Sequence, residues 1–161
     1  MRHVLTSGLL WFSALGCGLL AGLYFAFSAF VMTALGRIDQ AAGISAMNAI
    51  NVDIVRSLFM PVFFGTTLSC ATLVVLGALR WQEPGAIAMI GGGVIYVVGM
   101  FVVTVVFNVP LNDQLAATAP ASAAAAPFWA RYLTDWTLWN HVRTGASIAA
   151  TALFIVAIAA R

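Results

Sequence analysis

The sequence is poor in charged residues and contains no lysine. Only 7% of its 161 residues are charged, and all seven basic residues are arginines. A net charge of +2 spread along the chain does not form the basic patch that binds nucleic acids. With 63% hydrophobic residues, the chain has too much apolar surface for a water-soluble globular domain. We therefore expect a membrane protein without a nucleic-acid partner.

Cysteine and histidine are equally scarce, which limits the metal sites that the chain could form. Cys17 and Cys70 fall in apolar stretches, where a small polarizable side chain is expected to pack rather than to build a disulfide framework. His3 and His141 are predicted on opposite sides of the membrane. Histidines and carboxylates do not cluster with metal-ligand spacing, so we expect no metal site.

Long apolar runs are what the sequence has in abundance. A bilayer core about 30 Å thick requires roughly 20 apolar residues per helix. Four runs reach that length, at residues 8–35, 57–79, 85–107 and 140–160. The first exceeds the roughly 7 to 15 apolar residues of a signal peptide, which indicates an uncleaved helix. The predicted fold is all-α, an integral membrane four-helix bundle with residues 1–161 in a single transmembrane domain.

The connections between the predicted helices differ in length and character. Residues 36–56 have apolar positions at intervals of three and four, which predicts an amphipathic helix lying on the membrane surface or capping the bundle. Residues 108–139 are predicted to be a long loop with an alanine-rich and an aromatic-rich segment. Alternating helix directions place both of these connections on one side of the membrane.

Strongly polar residues gather at the end of the bundle that carries the long connections. Four asparagines belong to it: Asn51, Asn108, Asn112 and Asn140. Carboxamides donate and accept hydrogen bonds, so these side chains could orient a carbonyl or phenol. Arg143 is predicted one turn inside the fourth helix, where a cation costs up to about 3 kcal/mol. It either stabilises an enolate or phenolate, or has a structural role, as a snorkelling anchor or in a salt bridge to Asp113 or Asp135.

His141 is a candidate general base, because an imidazole can take a proton from an acidic carbon or phenol near neutral pH. The alternative is an ordinary surface residue of the membrane interface. Polar stripes are also predicted along the helices: Tyr24 and Ser28 on the first, Tyr96, Thr104 and Asn108 on the third. These stripes are expected to face each other, mainly for hydrogen bonds between helices.

Several of these residues carry a resemblance to a known family. The motifs are Met47-x-x-Ile50-Asn51, Asn108-Val-Pro-Leu-Asn112 and Trp136-x-x-Trp139-Asn140-x-x-Arg143. Together with residues 18–32 they resemble the anthrone-oxygenase-like family of small four-helix membrane proteins. The resemblance implies that Asn51, Asn108, Asn112, Trp139, Asn140 and Arg143 form a shared site.

The resemblance also implies a reaction, the oxidation of an anthrone to an anthraquinone by molecular oxygen without a metal or organic cofactor. Such chemistry suits a substrate that deprotonates to an electron-rich carbanion, which can itself reduce oxygen. We expect His141 to serve as the base and Arg143 with the asparagines as an oxyanion clamp. Trp136, Trp139 and Tyr96 would then line a dry aromatic pocket.

The alternative function is that of a non-catalytic membrane protein that binds a quinone or a lipid-like molecule. A transporter subunit is less favoured, because the helices lack a charged relay. The expected partners are a hydrophobic small molecule and membrane lipids, and glycine-rich helix faces permit a homo-oligomer. The expected location is the bacterial inner membrane, with both termini in the cytoplasm because Arg2 precedes the first helix.

Overall fold

The described part of the chain, residues 2–161, folds into five helices, four of which are long. The computed structural model describes residues 2–161 except the side chains of Arg2 and His3, so the roles predicted for these two side chains lie outside it. Helix α1 is Arg2–Ala26, continued by a π-helical turn, Phe27–Val31, and by Met32–Leu35. Helix α2 is Gln40–Arg56 and α3 is Phe59–Leu79. Helix α4 joins Ala86–Tyr96, the π-helical segments Val97–Val102 and Thr104–Asn108, and Val109–Ala117, and α5 is Ala125–Ala159.

Four of the helices, α1, α3, α4 and α5, are long and apolar enough to cross a membrane. Helix α1 packs against α5 and α3, and α4 packs against the same two helices from the other side. This arrangement closes a bundle in which each spanning helix has two neighbours. The predicted all-α transmembrane fold is confirmed, and the chain is a multi-pass membrane protein.

The short helix α2 caps one end of this bundle. The Asp39 carboxylate accepts a 3.2 Å hydrogen bond from the Ala42 backbone N–H, which satisfies a free donor of the first turn. Gly43, Ile44 and Met47 form its buried face. Of the two predicted positions for this amphipathic helix, the structure has the capping one.

The segment 108–139, predicted as a loop, is mostly helical. Helix α4 continues beyond 107 to Ala117, and α5 begins at Ala125 rather than at 140, so the connection is residues 118–124. Pro110 does not end α4, because it lies in the first turn of Val109–Ala117, directly after a π-helical turn. Pro127 likewise lies in the first turn of α5, and the neighbouring alanines favour helix.

The buried side chains form two separate clusters. The terminal-side core contains Leu10, Ala14, Cys17, Leu20, Tyr24, Phe63, Cys70, Leu73, Met89, Tyr96, Met100, Ala150, Phe154 and Ala157. The loop-side core contains Met32, Leu35, Ile44, Met47, Leu115, Ala125, Trp129, Tyr132 and Trp136. Cys17 and Cys70 are buried and free, with their sulfur atoms 3.8 Å apart across α1 and α3. The division of the core leaves room for a cavity between the two clusters.

The end of the bundle opposite α2 is closed by a short turn. Gly85 adopts φ +80°, a conformation that favours glycine, and a Cβ there would lie 2.8 Å from the Ala157 carbonyl oxygen. Beside it, Glu83 lies 4.0 Å from Arg80 and 3.6 Å from Arg161. These ion pairs therefore belong to the end of the bundle away from the asparagines.

Candidate functional site

A cavity of about 270 Å³ lies between the terminal-side core and the loop-side core. Tyr24 and Phe63 of the first cluster and Met47 and Trp136 of the second belong to its wall. The remaining lining residues are Leu23, Phe27, Ile50, Asn51, Ile54, Val55, Phe59, Met60, Phe64, Phe101, Thr104, Val105, Val109, Asn112 and Arg143. An apolar, aromatic cavity with a few converging polar groups is typical of a small-molecule site.

Arg143 is the charged residue of this wall, and it is only 5% exposed. Its guanidinium carbon lies 4.5 Å from the centre of the Tyr24 ring and 4.9 Å from that of the Trp136 ring. Two aromatic faces therefore stabilise the cation, by an interaction that strengthens when water is excluded.

Asn140 fixes the orientation of Arg143 from the preceding turn of α5. Its Oδ1 accepts a 2.7 Å hydrogen bond from Arg143 Nη2. Its Nδ2 donates to the Tyr24 carbonyl oxygen at 2.7 Å and to Ser28 Oγ at 2.8 Å, which ties α5 to α1. Ser28 in turn lies 3.2 Å from the Thr144 hydroxyl. The amide thus joins the cation to the helix that faces it.

Arg143 has no acidic partner among the described residues. The predicted structural pairing with Asp113 or Asp135 is not formed, since the ion pairs present are those of Glu83 at the other end. Within the described chain Arg143 Nε also lacks a hydrogen-bond acceptor, although it is buried. A buried cation without a counter-charge is costly. Its positive charge remains available to a ligand in the cavity.

Asn112 and Asn108 hold Trp136 in the wall. The Asn112 Oδ1 accepts two hydrogen bonds of 2.8 Å, from Trp136 Nε1 and from the Tyr132 hydroxyl. Asn108 Nδ2 donates to the Trp136 carbonyl oxygen at 3.2 Å. Backbone and indole of Trp136 are therefore both fixed by asparagines of α4, and its ring lies 5.6 Å from that of Phe27.

Asn51 brings a polar group into the cavity from α2. Its Nδ2 is buried and forms no hydrogen bond of good geometry in the part of the chain that the structure describes, where the Tyr132 hydroxyl is its nearby polar group. A buried donor without a partner costs about 1–3 kcal/mol, which a ligand oxygen could recover. Asn51 and Arg143 thus each bring to the wall of one cavity a hydrogen-bond donor that a ligand oxygen could accept from.

A family model described as anthrone oxygenase matches residues 56–153, more than half of the chain. The chain belongs to the anthrone oxygenase family. No curated protein and no solved structure matches it. Of the site, the family match includes Asn112, Trp136, Asn140 and Arg143, whereas Tyr24 and the capping helix α2 precede it.

The structure brings together part of the site predicted for this anthrone oxygenase family member. Asn51, Asn112, Trp136 and Arg143 line the cavity. Asn108 and Asn140 lie directly behind the wall and hold Trp136 and Arg143. The family motifs therefore contain both lining residues and the residues that position them.

Three further predicted residues do not reach the cavity wall. Trp139 stacks on Phe107, with ring centres 3.6 Å apart. Tyr96 is fully buried in the terminal-side core. His141 is exposed and points away from the buried face of α5 that carries Asn140. The structure thus gives His141 no contact with a molecule bound in the cavity.

Tyr24, Thr104 and Tyr132 are site residues to which the sequence assigned only a packing role or none. The Tyr24 ring contacts Arg143, and its hydroxyl donates to Met100 Sδ at 3.4 Å. Thr104 Oγ1 lies 3.5 Å from Arg143 Nη1. The predicted stripes do face each other here, so the spacing of Tyr24 and Ser28 was the available signal. No feature of the sequence pattern indicated that the segments carrying Phe27, Phe101 and Thr104 are π-helical.

Proposed function

We propose that this chain is a membrane-embedded, cofactor-independent oxygenase of the anthrone-to-quinone type. Its substrate would be a hydrophobic polycyclic compound that is enolisable or phenolic. The observation that carries the proposal is Arg143, a buried cation without a carboxylate partner among the described residues, in the wall of an aromatic cavity. Such a cation stabilises an enolate or phenolate oxygen in a site that excludes water.

The proposed reaction converts a ring CH₂ into a carbonyl with one molecule of oxygen and releases one molecule of water. Loss of a proton gives an enolate, which passes one electron to oxygen. The resulting radicals combine to form a C–O bond, and the peroxide takes up the proton released in the first step. Loss of the second proton of the former CH₂ group, with cleavage of the O–O bond, then gives the carbonyl, and the departing hydroxide leaves with that proton as water. Arg143 would hold the enolate oxygen during the first step, and Asn51 could donate to a second oxygen of the substrate.

The lining residues described by the structure include neither an imidazole nor a carboxylate. We therefore assign no residue to proton abstraction, and His141 is not part of the proposed machinery. The cation lowers the free energy of the enolate but does not remove the proton. We therefore expect substrates that enolise readily in water. The same observation supports a second candidate function, which is binding of a quinone or lipid-like molecule without turnover.

The test is oxygen uptake by the purified protein in lipid nanodiscs supplied with anthrone. We expect uptake to equal anthraquinone formation. Arg143→Ala should lower kcat by about 10²–10³-fold, the usual effect of removing one oxyanion donor. Arg56→Ala is the matched control, because Arg56 is exposed at the end of α2. Full turnover by Arg143→Ala would refute the oxyanion role, and binding of anthraquinone without oxygen uptake would favour the second candidate.

We also propose a location and partners. The protein would lie in the bacterial inner membrane with both termini in the cytoplasm, on the argument that Arg2 precedes the first helix. A cysteine at Ser122, in the connection 118–124, should then react with a membrane-impermeant thiol reagent added to the periplasmic side. Labelling only from the cytoplasmic side would mean that the orientation is the reverse of the proposed one. Lipids and a second copy, through glycine-rich helix faces, are the proposed partners, and cross-linking in native membranes tests the second.

A further inference from the structure

The cavity has an opening, and the residues at this opening are apolar. Among the lining residues, those with an exposed side chain are Val55, Phe64, Val105 and Val109. We call these four residues the lateral mouth. Phe64 is 54% exposed and Val105 50%, whereas the polar lining residues Arg143, Asn51, Asn112 and Thr104 lie further inside. The opening thus presents a hydrocarbon surface, and the donors are at its far end.

Three residues of the lateral mouth, Phe64, Val105 and Val109, belong to the spanning helices α3 and α4, and Val55 belongs to the last turn of the capping helix α2. Helix α3 packs along Ala86–Tyr96 and Val97–Val102 of α4, where the Phe64 ring lies 6.3 Å from that of Phe101, and it makes far less contact with Thr104–Asn108, the segment that carries Val105. Phe64 follows the first residue of α3 by five positions, about 7 Å along the helix. With the start of the spanning helix α3 placed at the membrane interface, this opening would be at the level of the acyl chains.

The side of the cavity that faces the connections is covered. Helix α2 lies across it with Met47 and Ile50 in the wall. Behind α2, the loop-side core stacks Trp129 on Tyr132, with ring centres 5.6 Å apart, and Tyr132 near Trp136 at 6.2 Å. A planar hydrophobic molecule entering from water would have to separate these buried aromatic rings.

We infer that the ligand of this cavity enters and leaves through the lateral mouth, directly from the bilayer. The inference rests on the proposed site but not on turnover. A polycyclic aromatic molecule concentrates in the bilayer because its apolar surface is removed from water there. Moving through the lateral mouth, it exchanges lipid contacts for contacts with Phe64 and Val105, and only its oxygen has to reach Arg143.

Rates test this inference, because equilibrium occupancy does not depend on the route. Anthraquinone is reconstituted with the protein in one bilayer, and the relaxation of tryptophan fluorescence after a temperature jump is recorded. The part of the signal that is lost in Trp136→Phe reports the cavity, since Trp136 is in its wall. Having ligand and protein in the same bilayer removes transfer between vesicles as a rate-limiting step.

Two variants should change the rates in opposite directions. Val105→Phe narrows the lateral mouth and should slow the relaxation about tenfold. Its control is Val106→Phe, because Val106 is the next residue, is 52% exposed and is outside the cavity wall. Phe64→Ala widens the mouth and should accelerate the relaxation, whereas Leu68→Ala, an exposed position one turn further along α3, should not.

The inference is overturned if Val105→Phe relaxes as fast as Val106→Phe, or if Phe64→Ala relaxes no faster than Leu68→Ala. It is also overturned if the unmodified chain shows no Trp136 signal. If the protein takes up oxygen but the relaxation rates are equal within each pair of variants, the entry route is refuted and the oxygenase proposal stands. If the relaxation rates differ as expected but the protein takes up no oxygen, the oxygenase proposal is refuted and the entry route stands.

Discussion

Arg143 Nη2 donates a 2.7 Å hydrogen bond to Asn140 Oδ1, and this neutral amide takes the place where a buried arginine usually has a carboxylate. The amide orients the guanidinium without cancelling its charge. Because the other end of Asn140 is held by the Tyr24 carbonyl oxygen and by Ser28, the cation is positioned by α1 as well as by α5. The pair thus combines a fixed geometry with an uncompensated charge.

Asn140→Asp should lower anthrone oxidation by at least about tenfold, because a carboxylate 2.7 Å from the guanidinium would neutralise it. Oxygen uptake in nanodiscs measures the effect. Thr134→Asp is the control, since it adds the same charge at an exposed position of α5. Equal rates in the two variants would mean that the net charge at Arg143 does not matter for turnover.

Asn112→Leu should lower the free energy of unfolding by about 2 kcal/mol, because the Tyr132 hydroxyl and Trp136 Nε1 would lose their shared acceptor. Unfolding in mixed micelles with increasing dodecyl sulfate measures this. Gln114→Leu, an exposed position of the same helix, should change it by less than about 0.5 kcal/mol. Similar losses in both variants would contradict the role given to Asn112.

The membrane fold was predictable from the sequence, whereas helix ends and local helix geometry were not. Long apolar runs define spanning helices because the bilayer imposes their length. The third helix was predicted to end with its apolar run at residue 107, whereas it continues through polar residues to Ala117, with Pro110 in the first turn of Val109–Ala117. The preceding π-helical segment Thr104–Asn108, which creates that first turn, is set by tertiary packing and left no trace in the pattern.

The residue types of the candidate site were predictable from the sequence, but the directions in which their side chains point from the helices were not. Asn140 and His141 are neighbours in sequence, yet consecutive side chains of a helix point about 100° apart. Contacts of Asn140 with Tyr24 and Arg143 turn it inward, and His141 therefore faces outward. The motif placed both at the same end of the bundle, and only the packing of α5 against α1 shows which of them belongs to the site.

Gly93→Ala should destabilise the bundle by about 1–3 kcal/mol, the usual cost of overpacking. A Cβ at this position would lie 2.6 Å from the Cys70 carbonyl oxygen and 2.5 Å from Val74 Cγ2, so α3 and α4 would have to separate. Gly22→Ala is the control, because nothing lies within 4 Å of a Cβ there. The same unfolding titration compares them, and equal stabilities would contradict the close approach of the two helices.

Arg143→Met should leave the free energy of unfolding unchanged or raise it, while anthrone oxidation falls by about 10²–10³-fold. Methionine fills the space next to Tyr24 and Trp136 and removes a buried charge that has no acidic partner in the described chain. A structural anchor would behave in the opposite way, because its loss would destabilise the bundle. Unfolding titrations and oxygen uptake on the same preparation therefore decide between the two roles. A destabilised Arg143→Met with turnover intact would assign Arg143 to the fold, whereas a stable and inactive one would assign its charge to the ligand.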